Sequence, residues 1–175
     1  MDLMNNLNEA GIDETLQEDL DYIANSNLPF EKLRNSNVLV TGATGLIGVS
    51  LVRALLCANR INNLNLKICA LVRNKEKAEK IYKWLLNRND FELIVGDVNE
   101  KIGITQAIDY IIHCASVTAS IVMVNNPVES LLTSVDGTKN ILYLAKASKC
   151  KSVVYVSSME MYGSFTEPNN NVTET

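Results

Sequence analysis

Thr41-Gly-Ala-Thr-Gly-Leu-Ile-Gly48 narrows what this chain can fold into more than any other stretch of it. It follows directly on Asn37-Val-Leu-Val-Thr41, a short apolar run of strand-forming residues. It leads into Leu46, Ile47, Leu51, Val52, Leu55 and Leu56, which recur at helical spacing to about Asn59. A strand that turns over glycines into a helix leaves the helix's first N–H groups unpaired and its positive dipole end at the turn. Gly42 permits the tight turn, Gly45 lets the backbone approach an anion, and Gly48 allows close helix–strand packing. In this strand-turn-helix setting the motif reads as a pyrophosphate cradle. Glycines that merely make a turn are the plainer alternative.

The same alternation continues down the chain. Lys67–Val72 reads as a second strand, Lys75 to Asn87 as a polar-faced helix carrying Ala78, Ile81, Tyr82 and Leu85, and Phe91–Val95 as a third strand. Tyr110–His113 reads as a fourth strand, Pro127–Ser148 as a long helix opened by proline, and Ser152–Val156 as a fifth strand. Strands apolar on both faces belong inside a covered sheet, and alternation with helices makes that sheet parallel with right-handed crossovers. The fold expected is a doubly wound α/β domain. Residues 1–36 stand apart as an N-terminal extension, with a short helix from about Glu14 to Asn25 capped by Asp13.

Composition removes several function classes. Sixteen basic residues against 20 acidic ones give a net charge of -4, which argues against a nucleic-acid binder. No apolar run reaches the ~18 residues of a membrane span, and the acidic, Asn-rich N-terminus is unlike a secretory leader, so a cytoplasmic protein is expected. Cys57, Cys69, Cys114 and Cys150 lack the close spacing of a zinc or dithiol site and read as reduced core thiols. With His113 the one histidine, no multi-histidine metal site can be built.

Thr-Gly-Ala-Thr-Gly-Leu-Ile-Gly, with its three-and-three glycine spacing, closely resembles the extended short-chain dehydrogenase/reductase family of nucleotide-sugar epimerases, dehydratases and decarboxylases. Gly96-Asp97-Val98, Asp109–Ser116, Val135–Asn140 and Ser157–Gly163 resemble further motifs of that family, in register over residues 37 to about 163. The resemblance implies a Rossmann fold with strand order 3-2-1-4-5. It implies cofactor contacts at Gly42, Thr44, Gly45, Leu46, Ile47, Gly48, Asp97, Val98, Ala115 and Ser116, the Asp97 carboxylate lying towards the adenine. After the second strand come Arg73, Asn74 and Lys75, where a carboxylate would bind the ribose 2′-hydroxyl of NAD. A guanidinium there suits a 2′-phosphate, so NADP is favoured, with NAD as the alternative. A solvated arginine at a strand end is the plain reading. His113 reads as a structural strand-end histidine.

Family catalysis uses a tyrosine four residues before a lysine. No tyrosine here has that partner, and the pair would fall beyond Gly163, so residues 164–175 read as a polar tail that stops short of it. The polypeptide as given is expected not to turn over. Ser158 matches the family's Ser/Thr that hydrogen-bonds the reacting hydroxyl, and Glu160 matches the acid/base glutamate of the dehydratase and decarboxylase branches. Met159 argues against the 4,6-dehydratases, and Ser134 replaces a common asparagine. Two functions are expected to compete. One is the cofactor-binding portion of a nucleotide-sugar-modifying enzyme; the other is a non-catalytic NADP(H) sensor or scaffold. Self-association is expected through the 127–148 helix, with Leu131, Leu132, Val135, Ile141, Leu142 and Leu144 as its apolar surface.

Overall fold

In a computed structural model of the chain, the described residues are 8–104 and 106–158. The apolar runs form five strands: β1 (Asn37–Thr41), β2 (Lys67–Val72), β3 (Phe91–Val95), β4 (Tyr110–His113) and β5 (Ser152–Tyr155). All pair in parallel in the order β3-β2-β1-β4-β5, the order expected. Register aligns the carboxyl ends: Thr41 stands opposite Leu71 on one side and His113 on the other, and His113 opposite Tyr155. The strand order reverses direction at β1, so a crevice opens at the carboxyl ends of β1 and β4.

Five α-helices flank the sheet: α1 (Glu14–Ala24), α2 (Leu46–Asn62), α3 (Lys75–Ile81), α4 (Ser120–Asn125) and α5 (Pro127–Ser148). Two cores result. One joins α1, α2 and one sheet face through Leu20, Ala24, Val38, Val40, Val52, Leu56 and Ile68. The other lies on the opposite face, where Leu39, Cys69, Ile108 and Ile111 meet Ile141 and Ala145 of α5.

The extension is tied to the sheet domain. Asp13 caps α1 by accepting from the Leu16 N–H at 3.0 Å, and Leu20 and Ala24 of α1 are buried against α2. Glu9, fully buried, pairs with Arg60 at 2.9 Å and Arg88 at 2.7 Å, and Arg88 also pairs with Asp90 at 2.7 Å. Two guanidiniums hold the Glu9 carboxyl below its usual range despite the desolvation that opposes them.

The pattern read as a helix to Asn87 is helical only to Ile81. Beyond it the backbone tightens to three-residue turns, with Leu85 N–H donating to the Tyr82 carbonyl and Arg88 N–H to that of Leu85. Ala78, Tyr82 and Leu85 are all buried, as periodicity implied. Tertiary anchors override the local preference: Trp84 lies against Gly11 and Arg88 reaches Glu9. Ile141, expected on the open face of α5, is buried in the second core, and Leu144 is half-buried against it. The short helix α4, a β-branched apolar stretch, was not expected from the sequence.

Candidate functional site

The glycine turn is built as its sequence implies, with one refinement. Gly42 has φ +62°, and a Cβ there would stand 2.7 Å from the Cys114 carbonyl carbon. At Gly48 a Cβ would come within 2.3 Å of the Gly42 carbonyl oxygen. The third glycine thus admits the turn's own backbone onto the first turn of α2. Gly45 occupies the N-cap with no side-chain cap, leaving the first N–H groups of α2 without an intrahelical acceptor. Leu46, the first helical residue, is 88% exposed.

These groups border a cavity of about 600 Å³ at the carboxyl end of the sheet. Gly42, Thr44, Gly45, Leu46, Ile47 and Gly48 form one wall. Leu71, Val72, Arg73, Asn74 and Lys77 come from the end of β2 and the start of α3, and Gly96, Asp97 and Val98 follow β3. Cys114, Ala115, Ser116 and Thr118 follow β4, and Thr133 projects from α5. Every residue nominated from the sequence for cofactor contact lies on this lining. Arg73 and Asp97 face each other, Nη1 to Oδ2 at 3.9 Å.

Sequence reasoning passed over Asn74, Lys77, Thr118 and Thr133. Asn74 accepts from the Lys77 N–H at 2.8 Å and so caps α3. Lys77 lies four residues after Arg73, a spacing that could have flagged a second cation at the same end. Thr133 accepts from the Asn99 side-chain amide at 3.1 Å, tying α5 to the loop after β3.

A polar relay fixes the floor between β1 and β4. Thr41 Oγ1 and His113 Nδ1 are 2.6 Å apart, and Thr41 Oγ1 also accepts from the Ala115 N–H at 3.1 Å. Burial lowers the His113 pKa from its ordinary 6.5, which keeps the ring neutral. The Thr138 hydroxyl donates to the Ser134 carbonyl at 2.6 Å, so its 3.4 Å contact with His113 Nε2 assigns the ring proton to Nε2 and leaves Nδ1 to accept from Thr41. Each hydrogen is used once, and the histidine is structural, as expected. Its effect is to hold the Ala115 backbone at the cavity.

Ser158, the nominated catalytic hydroxyl, is exposed three residues beyond β5, at the same end of the sheet but off the cavity lining. Glu160, the nominated acid/base, lies outside the described residues, as does Tyr162. Among the described residues no cluster of His, Cys, Asp and Glu could hold a metal, and no helix is long and apolar enough to cross a membrane. The thiols are inert by burial, which pushes Cys57 up to about 12 and Cys69 to about 11.

The cavity suits a dinucleotide on two structural grounds: a glycine turn packed so closely on the backbone of Cys114 and on the start of α2 that a Cβ at Gly42 or Gly48 would collide, and helix N–H groups without an intrahelical acceptor beside it. Known proteins agree. UDP-glucuronic acid decarboxylase 6 of Arabidopsis thaliana is 35% identical over 129 residues, covering 74% of this chain and 35% of that protein. A UDP-glucose 4-epimerase of Rickettsia typhi is 27% identical over 127 residues, 71% of this chain and 37% of that one. The chain thus spans about a third of the length of the curated relatives it matches. Among solved structures, dTDP-glucose 4,6-dehydratase of Streptomyces venezuelae with NAD bound superposes with a TM-score of 0.62 at 25% identity, covering 75% of this chain and 42% of that one. The UDP-Glc/GlcNAc 4-epimerase of Campylobacter jejuni shares the fold, with a TM-score of 0.65 at 19% identity over 80% of this chain and 42% of its own. Residues 38–175 match the NAD-dependent epimerase/dehydratase family, and the chain belongs to that family.

Proposed function

We propose that this chain is the NAD(P)-binding portion of a nucleotide-sugar epimerase, dehydratase or decarboxylase. The observation that carries the reading is the glycine turn and bare α2 N-terminus opening onto one 600 Å³ cavity, with Arg73 and Asp97 at its other end. Gly42, Gly45, Gly48 and the N–H groups behind Thr44, Leu46 and Ile47 would hold the pyrophosphate. Asp97 and Val98 would take the adenine, and Ala115 and Ser116 would border the nicotinamide side. When bound, the dinucleotide supplies the hydride acceptor; this chain's residues bind it, orient it and exclude water around it.

NADP is the cofactor we favour, with NAD as the alternative. Arg73 and Lys77 bring two cations to the end of β2, where no carboxylate waits for a ribose 2′-hydroxyl. Asp97 opposes this by drawing on Arg73, so Lys77 supplies the less committed charge. Titration of NADPH and NADH into the 175-residue chain tests the reading. Tighter NADPH binding, lost in Arg73→Ala, is expected; preference for NADH would reverse the assignment, and no saturable binding of either would sink the function.

For the reaction, Ser158 is proposed to hydrogen-bond the substrate hydroxyl and Glu160 to act as acid/base, favouring a decarboxylase or dehydratase branch. The 175 residues contain no tyrosine four places before a lysine, so this polypeptide alone is proposed to bind and not to turn over. The second reading is a non-catalytic NADP(H) sensor or scaffold. Continued sequence carrying a Tyr-x-x-x-Lys would decide for the enzyme. Reduced thiols suit a cytoplasmic setting, and the exposed Leu131, Leu132, Val135 and Leu142 of α5 suit self-association.

A further inference from the structure

Tyr82 is fully buried, does not line the cavity, and yet its hydroxyl donates a hydrogen bond to the carbonyl oxygen of Ala43, inside the glycine turn. The two residues are 39 apart in sequence. Ala43 is itself buried, whereas the next residue, Thr44, borders the cavity. Ala43 O and Thr44 N belong to one trans peptide, so the carbonyl and the N–H point in opposite directions. Holding the carbonyl into the core therefore turns the Thr44 N–H outward. Among the described residues no protein acceptor takes that N–H.

We propose that Tyr82 is a positioning residue for dinucleotide binding: it locks the Ala43–Thr44 peptide so that the Thr44 N–H faces the phosphates. The proposal rests on the dinucleotide reading of the cavity. A flipped peptide would present a carbonyl oxygen to the anion, turning an attractive contact into a repulsive one. The hydroxyl is itself held firmly. Its ring packs on Phe91 at 5.1 Å between centroids, and its N–H donates to the Ala78 carbonyl at 2.9 Å. The turns that follow are pinned at Arg88 by Glu9 and Asp90. Burial raises the phenol pKa, so the group remains a neutral donor. α3 ends at Ile81, and the tighter turns beyond it bring Trp84 against Gly11 and Arg88 to Glu9.

The test measures NADH and NADPH affinity of the 175-residue chain by calorimetry, well below its melting temperature, for wild type, Tyr82→Phe and Phe91→Leu. Tyr82→Phe removes only the donor; Phe91→Leu loosens the same packing and keeps it. Expected is an affinity loss of ~10–150-fold in Tyr82→Phe, the size of one lost charge-assisted bond, with Phe91→Leu within ~2-fold of wild type at a comparable drop in Tm. Equal affinity in Tyr82→Phe and wild type would overturn the proposal, as would an equal loss in Phe91→Leu. Wild type that binds neither dinucleotide would overturn the proposed function and this proposal with it. If Tyr82→Phe does not fold, 4-aminophenylalanine at position 82, which restores a donor, decides: near-wild-type affinity supports the proposal and a marked loss overturns it.

Discussion

The two flanks of the sheet are finished to different degrees. On the α1–α2 flank, apolar side chains from helix and strand are sealed together, and a buried carboxylate between two arginines closes the outer edge. On the α4–α5 flank, Ile141 and Ala145 reach the core, while Ile121, Val124, Val128, Leu131 and Val135 remain exposed, together with Val154 and Tyr155 of the edge strand β5. The difference teaches that, among the described residues, one flank buries most of its helix–sheet apolar surface while the other leaves much of it exposed. The cavity lies between them and takes its glycine-turn wall from the α2 flank.

The largest test of the contrast is Glu9→Ala. It leaves Arg60 and Arg88 facing an emptied site, and because both arginines keep partial solvent access and second carboxylate partners, a loss of ~2–4 kcal/mol is expected in urea unfolding. A loss below ~0.5 kcal/mol would mean the extension is decoration and the sealed flank does not depend on it. Next comes Gly42→Ala, where both φ +62° and the Cys114 backbone oppose a methyl group. About 1–3 kcal/mol of stability and most dinucleotide binding should be lost together.

A smaller effect lies at the seam. His113 binds a proton less readily when folded than its ordinary value of 6.5, so the unfolded chain takes up the proton first as pH falls. Its contribution is complete above 6.5 and is lost as pH drops below that towards the lower folded value. Melting temperature should therefore fall between about pH 7 and pH 5.5, and His113→Gln should flatten the slope. Glu9 and Asp90, whose pKa values are lowered, contribute only to loss at more acid pH, below 4.5 and 3.8. The smallest stability change is predicted for Leu131→Lys with Val135→Lys on the open flank, within ~0.5 kcal/mol of wild type. Their effect should appear instead as reduced self-association in sedimentation; an unfolded double variant would show that this face is sealed after all.

Much of the fold was legible beforehand because it is written in local pattern. Each strand is a short apolar run, α2 begins where the glycines end, and α5 opens on Pro127. The cavity wall could likewise be read, since a glycine turn between strand and helix has few other uses. What could not be read was everything that depends on distant partners. Lys75 to Asn87 carried a helical pattern, but whether the backbone kept it past Ile81 rested on Gly11 and Glu9, more than seventy residues away from Trp84 and Arg88. Ile141 and Leu142 are neighbours of equal hydrophobicity, and only the packing of α5 decided which was buried.

By itself the sequence determined an α/β chain with a glycine turn joining its first strand to the helix that follows, because strand, turn and helix preferences act over a few residues. Only the tertiary structure decided that Thr41 and His113 share a hydrogen bond across 72 residues, that Glu9 closes a flank, and that Tyr82 grips the turn from behind. Such contacts depend on how strands register and helices settle, and a buried polar group must then take whichever partner that packing brings within reach.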